Sequence, residues 1–240
     1  VCLAKTDHPS SVGDYRPITI LSMLYRIWSS YQAQLAIRAL DRSLPDTLYG
    51  CRPARFAGQV WSQLLWAVES SVSNGVALTG LIADLQKAFN HIPRIVVFEA
   101  AALMGLPMPM LTAWAGALAK VGRRFQIGPN LTKPVFSSTG LPEGDGLSCL
   151  GMLIVDVLFH KWHVHFFPLC QPVSYVDDWT ILTTAPSMLE GIQRCLQRFT
   201  EALDMMLDAK KTFAWSVCSE GRKSLVTQGF QVEQSCRVLR

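Results

Sequence analysis

Charge is scarce in this sequence. Asp, Glu, Lys and Arg supply 17% of the 240 residues, and no tract of one sign resembles a disordered tail. Paired cysteines are missing as well. Cys2, Cys51, Cys149, Cys170, Cys195, Cys218 and Cys236 form no C-x-x-C unit, are odd in number and fall at irregular intervals. That pattern sets aside a disulfide frame or a zinc ribbon and reads as the free thiols of an intracellular protein. His160, His163 and His165 have no Cys or carboxylate at ligand spacing, which favours ordinary packing over zinc. No apolar run of transmembrane length occurs, and no charged start precedes an apolar core. Both absences argue against a membrane span and against secretion, and for a nuclear or cytoplasmic location. Repeats and low-complexity linkers are absent too, so nothing marks an array of units. The chain opens without Met on VCLAK, which reads as mid-strand, as in an excerpt of a longer protein.

What is present is a core-forming majority. Half of the residues are hydrophobic, enough for one large domain or two intimate subdomains. The net charge of +4 and pI near 8.7 suit an anionic polymer as partner without requiring one. A short apolar strand over 1–5 leads through a polar loop to YRPITI. Leu21, Leu24, Ile27, Trp28, Tyr31 and Leu35 then recur at helical spacing, with Ser22 as N-cap. A second amphipathic helix is expected over 56–72, a buried strand over 76–85, and two helices at IPRIVVFEAAALMGL and PMLTAWAGALAK. RRFQIG and KPVFSST pattern as a hairpin, and the GLPEGDGLS loop opens an apolar helix over about 148–166. SYVDDWTIL follows as a hairpin, then a helix over 187–206 and strands over 212–217 and 225–232. Strands and helices mixed without strict βαβ alternation predict an α+β fold, with a largely antiparallel sheet and helices packed on one face.

Within that outline, Asp177 and Asp178 stand side by side between strand-forming runs. Asp is depleted in strands, and adjacent anions repel unless a cation sits beside them. A hairpin turn would accommodate the pair, and so would a metal site. Asp84 ends the expected buried strand. If the two strands are neighbours, three carboxylates converge at one sheet edge, which is costly unless a divalent cation compensates them. Oxygen ligands without His or Cys favour Mg²⁺, with Mn²⁺ as an alternative. Two such ions about 3.5–4 Å apart would activate an attacking hydroxyl and stabilise the leaving oxygen of a phosphoryl transfer.

YRPITILSMLYRIWS, ADLQKAFNHI, GLPEGDGLS, SYVDDWTIL and LDAKKTFAW occur in the order, and at roughly the spacing, of the reverse transcriptase motifs. Over almost its whole length the chain resembles that family, most closely its non-LTR (LINE-like) retrotransposon branch. The resemblance implies a right-hand polymerase core. Residues 1–75 would be the first part of the fingers and 76–240 the palm, with 93–140 partly returning to the fingers. It also implies an RNA-directed DNA polymerase that adds deoxynucleotides to a primer 3′-OH with two Mg²⁺ ions. The partners would be an RNA template, a DNA primer, dNTPs and further domains of a longer polypeptide, such as a thumb and an endonuclease. SCRVLR stops about where the family continues into the primer grip and thumb, so the thumb is expected to be absent.

Residue by residue, Asp84, Asp177 and Asp178 match the metal-holding acids, with the Leu85 carbonyl assisting and Tyr175 packing under the primer end or template. Phe89 matches an aromatic gate that presses on the sugar and excludes a 2′-hydroxyl. Lys5 and Arg16 match basic residues that clamp the triphosphate through charge-assisted hydrogen bonds, although Lys5 equally reads as a solvated strand end. Arg52 and Arg55, in GCRPARFAGQ, resemble a template-contacting stretch or are merely solvated. Lys211 matches a lysine near the leaving pyrophosphate, with Lys210 one residue away. Lys120, Arg123 and Arg124 form a basic cluster that reads as a solvated hairpin face before a phosphate track.

The pattern breaks in GLPEGDGLSCLG, where the family commonly has GLPQGSPLSPLL. Glu143 replaces a Gln that touches the nucleotide sugar, while Asp145, Gly146 and Cys149 replace a Ser and two Pro. Gly144 keeps the tight turn. Two added acids near a triphosphate are expected to weaken nucleotide binding unless Arg16 or a metal offsets them, and Glu lacks the amide donors of Gln. Asn90 replaces an acid that is not a metal ligand in the family. The competing reading is therefore a catalytically impaired reverse-transcriptase-like domain that retains only nucleic-acid binding. An RNA-directed RNA polymerase is disfavoured, because such enzymes usually carry Gly before the paired acids and lack a gate like Phe89.

Overall fold

A computed structural model describes residues 2–5, 7–11, 14–127 and 129–232; the SCRVLR segment and Cys236 lie outside the described residues. The chain divides into two units, one of residues 1–39 with 89–151 and the other of 40–88 with 152–240.

In the first unit, β1 (Cys2–Ala4) pairs antiparallel with β2 (Tyr15–Pro17), placing Leu3 opposite Arg16. Helix α1 (Met23–Leu40) starts where expected, with the Ser22 hydroxyl accepting the Tyr25 N–H at 3.3 Å. Its buried side is made of small residues, Ser29, Ala33 and Ala36, beside Ile37. The recurring apolar residues Leu24, Ile27, Tyr31 and Leu35 form an exposed stripe instead. Small side chains permit close approach, and a Cβ on Gly146 would come within 2.8 Å of the Ser30 Cα. Helices α4 (Arg94–Leu103) and α5 (Met108–Lys120) follow a short α3 (Ala88–His91), and Phe98 meets Trp114 edge-on at 5.0 Å. The hairpin is shorter than its pattern predicts: β4 (Gln126–Ile127) and β5 (Asn130–Leu131) have two residues each, prolonged by an Arg123–Val135 bridge.

Helix α6 (Gly146–Phe166) runs from the first unit into the second. By length and composition it could cross a membrane, contrary to the reading that no such run exists, yet 72% of its apolar window is buried within the fold. Asp156, His160 and His163 are inside as well, so it is a core helix.

The second unit is built on an antiparallel sheet of order β6–β7–β3–β8, formed by Gln171–Tyr175, Asp178–Thr183, Thr79–Asp84 and Phe213–Ser216. Alternation along the strands sends Ile82, Val173, Leu182 and Trp215 to one face. There they pack on Tyr49 and on Val60 and Leu64 of α2 (Ala57–Ser73). On the opposite face Trp179 stacks on Phe159 of α6 at 4.2 Å and meets Phe199 of α7 (Leu189–Ala202) at 5.8 Å. Helices thus cover both faces, not the single face expected. Burying side chains of this size stabilises the sheet by roughly 2–3 kcal/mol each. Leu48 bridges Ser174 at the β6 edge and Val232 bridges Ala214 at the β8 edge.

The strand expected over 225–232 is mostly helix: α8 spans Ser219–Thr227, and the Cys218 sulfur accepts the Gly221 N–H at its start. Its apolar run LVTQGF is interrupted by Gly229 at φ +83°, which ends the helix and leaves the single Val232 bridge as strand.

Candidate active site

The end of β3 and the start of β7 are brought together by register. Asp84 lies directly opposite Asp178 in the last pair of the β3–β7 ladder, and Tyr175 opposite Asp178 closes the β6–β7 hairpin. Side chains directly opposite in an antiparallel pair have Cβ atoms about 4.5–5.5 Å apart, so the two carboxyls share one edge. The hairpin turns on Val176 and Asp177, with Val176 at φ +58°, a conformation that a β-branched residue rarely adopts. Surrounding structure holds it there: the Tyr49 N–H donates to the Ser174 carbonyl at 2.9 Å, and a Cβ on Gly50 would strike the Val176 backbone. Only glycine fits beneath this turn.

Burial, then the charge of Asp177 and that of Asp84, push the Asp178 carboxyl up to about 7, while Lys211 opposes the rise. The Lys211 ammonium donates to Asp84 Oδ2 at 2.7 Å and lies 3.8 Å from Asp208 Oδ2. Lys211 is therefore the one of the two lysines whose side chain reaches Asp84. The segment carrying it docks on β3, with the Asp208 N–H donating to the Asp84 carbonyl and the Gln86 N–H to the Met206 carbonyl, both at 2.8 Å. These bonds flank Leu85, which forms an antiparallel bridge with Leu207. Beneath the hairpin, Asp156 is fully buried and accepts the Trp179 indole N–H at 2.8 Å. Burial raises its carboxyl well above the ordinary carboxylate range, with the Trp179 hydrogen bond opposing the rise and the charge of Asp177 adding to it. His160 bonds the Ser174 hydroxyl at 3.0 Å, and burial lowers His160 to about 3 and His163 to about 4.

The donor set of Asp84, Asp177, Asp178 and the Leu85 carbonyl is all oxygen, which fits a hard divalent cation in chemistry. Among the described residues, however, no three Asp, Glu, His or Cys side chains converge closely enough to hold a metal ion. The Lys211 ammonium neutralises Asp84 instead.

The remaining residues singled out in the sequence divide between the units. In the first, Arg16 and Lys5 are exposed, and the Lys5 N–H donates to the Asp14 carbonyl. Phe89 is half-buried, and Gly144 adopts φ +104°. Asp145 corrects the expectation of two acids facing a triphosphate. It is 2% exposed, accepts the Leu147 N–H at 3.3 Å and the Tyr25 hydroxyl at 3.1 Å, and so caps the start of α6. Burial and then Asp145 raise the Tyr25 hydroxyl above its ordinary value. Glu143 accepts the Asn90 side-chain amide at 3.3 Å, and its charge supports the Arg123 guanidinium, which burial otherwise lowers. The offset to Glu143 thus comes from Arg123 and Asn90 within this unit.

In the second unit, Arg52 contradicts the template expectation. Its side chain is 3% exposed, and its guanidinium donates to the Asp41 carboxylate and to the carbonyls of Asp41, Pro45 and Leu48. Every branch of the fork is spent inside the fold. Arg55 is half-buried, pairs with Asp46 at 3.2 Å and lies over the Tyr49 ring. Tyr175 packs partly against the sheet core. Sequence reasoning missed Asp208, which stood three residues before Lys211 as the only signal, and Asp156, hidden in an apolar helix. It also discounted Asn90.

The family model for reverse transcriptase (RNA-dependent DNA polymerase) matches residues 3–239. No curated protein sequence matches the chain significantly. Among solved structures, telomerase from Candida tropicalis in complex with the TWJ fragment of telomeric RNA superposes with a TM-score of 0.60 at 12% identity, over 80% of this chain and 34% of that one. Apo telomerase from Candida tropicalis truncated from its C-terminal domain gives 0.54 at 12% identity, over 80% and 41%. Telomerase from Candida albicans, with the same RNA fragment, gives 0.56 at 14% identity, over 78% and 33%. The chain therefore spans about a third to two fifths of the structures it matches, and at these identities the likeness is one of fold.

Proposed function

The chain belongs to the reverse transcriptase (RNA-dependent DNA polymerase) family, and from that premise we propose that it is the catalytic core of an RNA-directed DNA polymerase. The finer reading is a non-LTR retrotransposon enzyme with the first part of the fingers over residues 1–75 and the palm over 76–240, of which 93–140 partly return to the fingers. It would work inside the cell on an RNA template, a DNA primer and dNTPs, as part of a longer polypeptide. The observation that carries this reading is the pairing of Asp84 with Asp178 across β3 and β7, with Asp177 at the turn and Lys211 on Asp84.

Asp84, Asp177, Asp178 and the Leu85 carbonyl would hold two Mg²⁺ ions, or Mn²⁺. When bound, the ions supply Lewis acidity to the attacking 3′-oxygen and the leaving oxygen of an in-line displacement. The residues of the chain do the rest. Burial and mutual repulsion keep Asp178 reluctant to ionise, so the acids gain most when a cation arrives. Lys211 balances Asp84 in the free chain and would donate a proton to the departing pyrophosphate. Arg16 and Lys5 would hold the triphosphate, and Phe89 would exclude a 2′-hydroxyl.

A silent, binding-only descendant is the second reading, favoured by the Lys211–Asp84 contact and by the lack of a closed ligand cluster among the described residues. Mg²⁺-dependent extension of a DNA primer on an RNA template by the full-length parent chain decides between them, with Asp177→Asn as control. Extension by the wild type and none by the variant is expected. No extension with either metal ion overturns the polymerase reading.

A further inference from the structure

We propose that Glu143 is a specificity-determining positioning residue: acting through Asn90, it sets where the Phe89 ring stands and so how strictly a 2′-hydroxyl is refused. This rests on the reading of Phe89 as the sugar gate. The two departures from the family pattern turn out to be one exchange. The acid missing at 90 is present at 143, the amide missing at 143 is present at 90, and the two side chains bond each other at 3.3 Å.

The Phe89–Asn90 segment is tied to the loop by backbone bonds as well. The Phe89 carbonyl accepts the Leu141 N–H at 2.6 Å, and the Ile92 carbonyl accepts the Gly140 N–H at 2.9 Å. Gly140 adopts φ +72°, and a Cβ there would strike the Asn90 carbonyl, so the two backbones approach as closely as glycine permits. The loop itself is anchored elsewhere. The Glu143 carbonyl accepts the Thr19 N–H at 2.9 Å, and the Gly140 carbonyl accepts Arg94 Nε at 2.7 Å. A carboxylate accepts and cannot donate, so the amide nitrogen of Asn90 must face Glu143. The pair therefore has a fixed polarity, and through it the anchored loop holds the residue next to Phe89.

The test inverts that polarity in the full-length parent chain. Dissociation constants for dATP and ATP are measured on an RNA–DNA primer–template whose primer end is dideoxy-terminated, so that no turnover is needed. Asn90→Asp sets two carboxylates against each other and is expected to reduce the preference for dATP about tenfold, the scale of one lost charge-assisted hydrogen bond. The double variant Asn90→Asp with Glu143→Gln restores a donor–acceptor pair and is expected to return the preference to within about twofold of the wild type. Amide exchange at Leu141 should speed up in the single variant and recover in the double. Phe89→Ala calibrates the gate, abolishing the preference outright. An unchanged preference in Asn90→Asp beside a lost one in Phe89→Ala overturns the inference and leaves the gate standing, as does failure of the double variant to recover. A preference untouched by Phe89→Ala removes the gate and this inference with it.

Discussion

Replacing Arg52 by Ala separates a structural strut from a template contact. The guanidinium makes four hydrogen bonds, of 2.8, 2.6, 2.9 and 3.0 Å, and its side chain is 3% exposed. Truncation leaves the Leu48 carbonyl and one carboxylate without this donor, while the Asp41 and Pro45 carbonyls keep the Leu44 and Leu48 N–H groups. Each buried polar group so abandoned costs about 1–3 kcal/mol. The Asp41 side chain is 35% exposed and can rehydrate, which returns part of that cost. The net loss should be about 3 kcal/mol, at the low end of the range for a broken buried ion pair. At roughly 2–4 °C per kcal/mol for a chain of this length, the melting temperature falls by about 10 °C. Urea denaturation should register a lower midpoint with an unchanged slope. A template contact predicts the opposite: an unaltered midpoint, weaker RNA binding, and a salt dependence shallower by about one unit. That second pattern would refute the strut.

Two further outcomes follow from the charges around Asp84. Asp178 keeps its proton to about pH 7 in the fold, whereas it loses it near 3.9 when unfolded. The native state therefore binds more protons between those values, and stability declines as pH rises from about 4 to 7. Asp178→Asn should raise the metal-free urea midpoint most at pH 8, less at pH 5 and hardly at all near pH 3.5; equal shifts at all three would count against a raised carboxyl. Lys211→Gln removes the cation bonded to Asp84, so Mn²⁺ should bind the free chain more tightly by calorimetry. Primer extension should meanwhile fall by about a hundredfold, the scale of a lost general acid. Weaker Mn²⁺ binding would show that Lys211 does not compete with the metal for Asp84.

The site acids were legible because two periodicities and a register rule fix them. A buried run ending in Asp84 and a strand beginning at Asp178 can pair in few ways that keep both faces apolar, and the observed ladder is one of them. Arg52 was not legible in the same way. A motif shows that a guanidinium is needed, but the fork is spent on the carbonyls of residues four to eleven positions upstream, which no pattern announces. Asp145 and Glu143 looked alike as added acids, and only their partners part them: one caps α6, the other meets Asn90. Spacing located α1, yet its buried side is chosen by small residues, whose signal is size and not hydropathy. Residues 225–232 were apolar enough for a strand, and a cap at Cys218 with Gly229 at positive φ outweighed that pattern.

The two one-residue bridges at the sides of the sheet have a consequence for solubility. An antiparallel sheet with open flanks offers rows of unmet N–H and C=O groups to any extended chain that drifts by. Here Leu48 lies along β6 and Val232 along β8, each joined by a single bridge. These short splints occupy one position on each flank, in a chain that is half hydrophobic. Where they lie, the sheet is a poorer template for recruiting neighbouring copies of itself into a fibre.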